Sequence, residues 1–161
     1  MTQVEQQSRM VETGTPMQKV IPSHLVEPYL NGQRTVIAGF VYRVQDSAFQ
    51  DPAEFYTALD LGYEGSDFTP DISELYVLRW LARVMDSYLI PYSPARGGDW
   101  HDKLPFTGNG FTSSRAHNVA EFYTEPMPIP VGTAMHRITA AGDEPVAWYD
   151  GLAWRRPAKE S

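Results

Sequence analysis

Proline and glycine punctuate this chain from end to end. Thirteen prolines and twelve glycines are spread over 161 residues. Proline lacks an amide donor and clashes with the preceding helical turn, and glycine gives up the most conformational freedom on folding. The spacing therefore predicts short elements joined by many turns. The 42% apolar content is that of a globular chain, and the length suits one domain with a sizeable core. No run of apolar residues is long enough for a membrane helix.

Three stretches carry the fold expectation. "RTVIAGFVYRV" (Arg34 to Val44) is dense in β-branched and aromatic residues and follows the turn sequence Asn31-Gly32-Gln33, so it reads as a central strand. Gly39 inside it predicts a bend or a close backbone approach. "QDPAEFYTALDLG" (Gln50 to Gly62) reads as a helix. Asp51 is placed to cap it, Pro52 sits where no amide donor is needed, Glu54 completes a capping box and Gly62 ends it. "DISELYVLRWLARVMDSYLIP" (Asp71 to Pro91) fits either a helix capped at Asp71 or a strand over Leu75 to Leu81, and its apolar density favours the strand. Further on come a polar loop from Pro91 to Gly110, a short strand "GFTSS" and a short helix "AHNVAEFY" begun by Ser114. A strand over Thr133 to Thr139 and a hairpin over Pro145 to Arg156, turning at Asp150-Gly151, complete the chain. The sum is an α+β fold in a single domain, mostly antiparallel sheet with a few short helices.

Residues 1–20 are rich in Gln, Thr, Glu and Ser and show no apolar period. They read as a flexible arm before a globular domain over 21–156 and a tail over 157–161. "MTQVEQQSRM" has neither a basic nor an apolar segment of the kind a cleaved signal peptide needs. The expectation is a cytoplasmic protein, or one exported without such a signal. There is no cysteine, which removes disulfides, thiolate metal sites and thiol nucleophiles together. The formal charge of −7 disfavours binding to a phosphate backbone, so no nucleic-acid partner is expected. "DWHD" (Asp99 to Asp102) places two carboxylates beside one histidine, but no second histidine stands at ligand spacing and no metal is expected. Serine-hydrolase elbows and phosphate-binding loops of the Walker type are absent.

One spread constellation remains: Arg43 on the first strong strand, Thr112-Ser113-Ser114 on another, and Glu144 near a third. "VYRVQD" (Val41 to Asp46), "GFTSSRAHNVAEFY" (Gly110 to Tyr123) and "DEPVAWYDGLAW" (Asp143 to Trp154) together resemble the arginine–serine–glutamate branch of the mono-ADP-ribosyltransferase superfamily. The chain departs from that pattern at Gly142, where the family usually carries a glutamate or glutamine, and "TSS" replaces its Ser-Thr-Ser order. The resemblance implies cleavage of the nicotinamide–ribose bond of NAD, as a transferase or a glycohydrolase of effector, toxin or phage type. It implies Glu144 as the catalytic carboxylate that stabilises an oxocarbenium-like centre. It further implies NAD held by Arg43 and Ser113, with Phe111 or Tyr123 stacked on nicotinamide. Two other readings stand beside it. One is a non-enzymatic structural or interaction protein, such as a phage or oligomer assembly component whose arm orders on a protein partner. The other is a small-molecule-binding module.

Overall fold

The computed structural model describes residues 11–47, 49–59, 61, 67–69, 71–89 and 119–157. Seven strands form one sheet: β1 (Pro16–Ile21), β2 (Val36–Arg43), β3 (Glu74–Leu81), β4 (Phe122–Pro128), β5 (Ala134–Thr139), β6 (Gly142–Tyr149) and β7 (Trp154–Arg155). Their spatial order is β4-β2-β1-β3-β5-β6-β7, and neighbouring strands pair antiparallel. The helices are short: α1 (Val26–Leu30) after a 3-10 turn at Ser23–Leu25, α2 (Val44–Ser47) and α3 (Pro52–Ala58). The fold is a mostly antiparallel sheet with a few short helices, and its elements are short, as the proline and glycine spacing predicts.

Both faces of the sheet are covered. On one face Met17, Ile21, Leu78, Trp80, Met135 and Ala147 pack with Tyr29, Ile37, Val41 and Phe122 into a first core. On the other, Val20, Leu75, Val77 and Ile138 meet Phe55, Ala58 and Leu59 of the α3 region in a second core. Side chains alternate faces along a strand, so β1 feeds the first core through Met17 and Ile21 and the second through Val20.

The expected arm boundary at residue 20 moves. Residues 16–21 are not part of an arm; they form β1, an interior strand between β2 and β3, paired along its whole length with β3. Composition averaged over twenty residues hides six whose side chains suit a strand buried on both faces. Residues 1–10 lie outside the described residues. The sequence "FYTEPMP" also forms a strand that its two prolines disguise. β4 stands at the end of the sheet, where a missing amide donor leaves no ladder bond unmade. Phe122 and Tyr123, expected at the end of a helix, belong to this strand.

The capping box expected at Asp51 is present, and the helix it starts runs from Pro52 to Ala58. The Asp51 carboxylate accepts from the Glu54 amide at 3.0 Å, and Glu54 accepts from the Gln50 amide at 3.0 Å. Gly39, with φ of +96°, sits at an irregularity in the β2–β4 register. Gly62, the loop from 91 to 110, and the expected strand and helix up to Asn118 lie outside the described residues.

β1 and β2 pair only through Met17↔Arg43 and Gln18↔Tyr42. Beyond that point side chains serve carbonyls of β2. The Lys19 ammonium donates to the Phe40 carbonyl at 3.3 Å, and the Tyr29 hydroxyl donates to the Val36 carbonyl at 2.8 Å. A Cβ on Gly39 would come within 3.3 Å of the Lys19 nitrogen, so glycine leaves room for the ammonium. Burial, with the Arg34 charge nearby, lowers the Lys19 amine to about 8.

Val41 is fully buried in the first core. Val41→Asp places an unpaired charge there, and we expect loss of the folded state, read as aggregation or loss of cooperative melting. A soluble variant melting at the wild-type temperature would contradict this packing.

Candidate functional site

Of the sequence-derived residues, Arg43 and Glu144 stand apart in the sheet. Arg43 ends β2, is almost fully buried, pairs with Asp46 and lies over the Phe122 ring at 5.7 Å. Tyr123 is on the adjacent strand β4, edge-on to Phe40 with ring centroids 5.8 Å apart. Glu144 is on β6, with β1, β3 and β5 between its strand and that of Arg43. The two are also offset along the strands. Arg43 is level with Met17 and Trp80, whereas Glu144 is level with Arg137, Tyr76 and Ile21. Glu144 is largely exposed and pairs with Arg137 at 3.2 Å. Phe111 and Ser113 lie outside the described residues, as do Ser114 and the Asp99–Asp102 stretch. Among the described residues no three His, Asp or Glu side chains are grouped as metal ligands, and no helix is long and apolar enough to cross a membrane.

What the sheet does bring together is a polar chain on the face of the second core. Gln18 on β1 is fully buried. Its amide nitrogen donates to the carbonyl and hydroxyl oxygens of Ser47 on α2, each at 2.6 Å. The Ser47 hydroxyl donates to the Arg43 carbonyl at 2.7 Å. On the other side, Arg79 Nε of β3 donates to the Gln18 oxygen at 3.1 Å, and Arg79 Nη1 reaches Asp143 of β6 at 2.7 Å. His136 Nδ1 of β5 contacts the other Asp143 oxygen at 2.7 Å. Burial pulls the Asp143 carboxyl upward, but its hydrogen bonds to Arg79 and His136, with their charges, hold it below its usual value. The chain thus ties β1, β3, β5, β6 and α2 together and fixes the Arg79 guanidinium.

Arg79 also lines an open groove of about 710 Å³ at one end of the sheet. Pro16, Val44, Leu81, Ala82, Val84 and Val131 supply most of its apolar wall. Three turns gather at this end, each built to a fixed shape. In the first, the Arg83 amide and guanidinium both donate to Asp86, and the Tyr88 hydroxyl donates to Asp86 while accepting from the Trp80 indole at 2.8 Å. In the second, Gly132 at φ +89° precedes fully buried Thr133, whose hydroxyl donates to the Pro130 carbonyl at 2.7 Å. In the third, Asp150 accepts from the Leu152 and Ala153 amides, each at 2.8 Å, and from Arg155 at 2.6 Å. Those donors lower its carboxyl to about 2. A Cβ on Gly151 would stand 3.2 Å from Val131, so the second and third turns touch.

These turns hold large apolar side chains out to solvent: Leu152 is 91% exposed, Val84 85%, Met85 76% and Val131 73%. Sequence reasoning missed all four. The available signal was an apolar residue at the tip of a turn, in "RVMD", "PVGT" and "DGLA", where polar residues are the rule.

Gln18→Ala leaves the Ser47 hydroxyl and Arg79 without their buried partner. We expect a loss of roughly 1–3 kcal/mol in denaturant unfolding. An unchanged unfolding midpoint would show that the chain of hydrogen bonds does not hold these strands.

Comparison with protein-family models, with curated proteins and with solved structures finds no match.

Proposed function

We propose that this protein is a non-catalytic interaction module that docks a protein partner on the turn end of its sheet. The observation that carries the reading is the set of three hydrogen-bonded turns at one end of the sheet that hold Val84, Met85, Val131 and Leu152 out to solvent, with Val84 and Val131 on the wall of an apolar groove. Contiguous exposed apolar surface of this kind marks interaction sites. The side chains protrude, so a small molecule seated in the groove would leave their outer sides wet, whereas a protein surface can cover them. Fully burying four such side chains is worth roughly 6–12 kcal/mol gross. Association costs on the order of 4–15 kcal/mol in lost freedom. The tips alone therefore support a weak complex, and useful affinity needs the groove as well. Rigid turns help, because little conformational entropy is then lost on binding.

The transferase reading draws no comparable support, since Arg43 and Glu144 stand on strands separated by three others. A titration with NAD separates the two. A ligand present at 100 times its dissociation constant stabilises by about 2.7 kcal/mol, and a melting shift of that size would restore the NAD reading.

The docking surface itself is tested by photo-crosslinking in the cells that make the protein. A benzophenone side chain in place of Leu152 or Met85 should give protein adducts, and one in place of exposed Glu54 on α3 should not. The pair Val131→Asp with Leu152→Asp should abolish the Met85 adduct while moving the melting temperature by no more than about 2 °C. Equal adducts from all three positions, or none from Met85 and Leu152, would overturn the proposal.

A further inference from the structure

We infer that the segment seated in the groove is an apolar peptide bearing carboxylates, recognised by Arg79 and Arg83, which both line it. The inference rests on the docking reading above and adds the chemistry of the partner.

Charge complementarity carries it. Among the described residues that line the groove, Arg79 and Arg83 are the charged ones, in a chain whose formal charge is −7. Two guanidiniums on an otherwise apolar wall select against a basic segment, which would have to bury like charge. Each fork is only partly used by the protein. Arg79 commits Nε to Gln18 and Nη1 to Asp143, leaving Nη2 without a partner among the described residues. Arg83 commits Nε and Nη2 to Asp86, with Nη2 also 3.4 Å from the Pro128 carbonyl, leaving Nη1 without one. The remaining N–H groups are held in place by the bonds their neighbours make, so a carboxylate meets oriented donors. The bonds to Gln18 and Asp86 also make the positions of the two charges part of the fold rather than of flexible side chains.

The chain's own negative charge does not defeat this. At physiological ionic strength the repulsion from distant carboxylates is screened beyond about 8 Å. A carboxylate inside the groove meets first the two arginines. Short of that range the compensation at Asp143 and Asp86 reduces their pull, so apolar contact supplies most of the affinity and the arginines supply selectivity.

A random dodecapeptide library displayed on phage, panned on the full chain and counter-selected on the Val131→Asp, Leu152→Asp variant, tests both levels. The inference predicts enriched peptides that combine large apolar residues with Asp or Glu. It also predicts that synthetic versions with Asn and Gln in place of those acids bind about tenfold more weakly by fluorescence anisotropy. Arg79→Gln should shrink that difference. Enriched apolar peptides without acids, or amide versions that bind equally well, would overturn the inference and leave the docking surface standing. A library that yields no peptide distinguishing wild type from the variant would overturn both.

Discussion

A buried glutamine in an interior strand is the constraint on which the rest depends. β1 lies between β2 and β3, feeds both cores and carries Gln18, which is fully buried. An amide in that position is tolerated only if its donors and acceptor are used. Ser47 takes the nitrogen and Arg79 supplies the donor for the oxygen. Satisfying one residue therefore fixes the end of the short helix after β2 and the arginine of β3. Through Arg79 the requirement passes to Asp143 and His136 near the far edge of the sheet. The ladder between β1 and β2 is two residue pairs long, so these bonds hold a junction that backbone pairing alone leaves weak.

The same view gives Glu144 a place in the fold. It follows Asp143 and precedes Pro145 on β6, whose outer side is paired by β7 only at Trp148 and Tyr149. Charges and a proline on a strand with an open edge discourage other chains from adding to the sheet. Glu144 further pairs with Arg137, which also holds Glu74 at 2.7 Å. Arg43 is likewise engaged, with its charge beside Asp46 and its plane over Phe122.

Where side chains announce their own local structure, the sequence was legible. The capping box of α3 needs only Asp51, Pro52 and Glu54 in order, and the hairpin at Asp150-Gly151 needs a turn pair. β2 is dense enough in β-branched and aromatic residues to be read directly, whereas the segment of β3 also fits a capped helix and only its apolar density favours the strand. β1 and β4 were not legible, for physical reasons. Gln18 and Lys19 make a buried strand look like polar chain, and their partners are remote in sequence. Pro126 and Pro128 argue against a strand unless its place at the end of the sheet is known. The groove was beyond reach because its wall comes from residues 13–16, 79–84 and 130–132, which only strand order brings side by side. The spacing of Arg43 and Glu144 could not be read either, since strand order, not chain order, sets how far apart they stand.

Amide hydrogen exchange along β1 tests the central claim most directly. If residues 17–21 form an interior strand between β2 and β3, their hydrogen-bonded amides should be among the slowest in the protein. They should exchange only with global unfolding and track the denaturant-derived stability. Exchange of these amides at rates typical of open loops, in a protein whose β3 and β5 amides stay protected, would contradict the account.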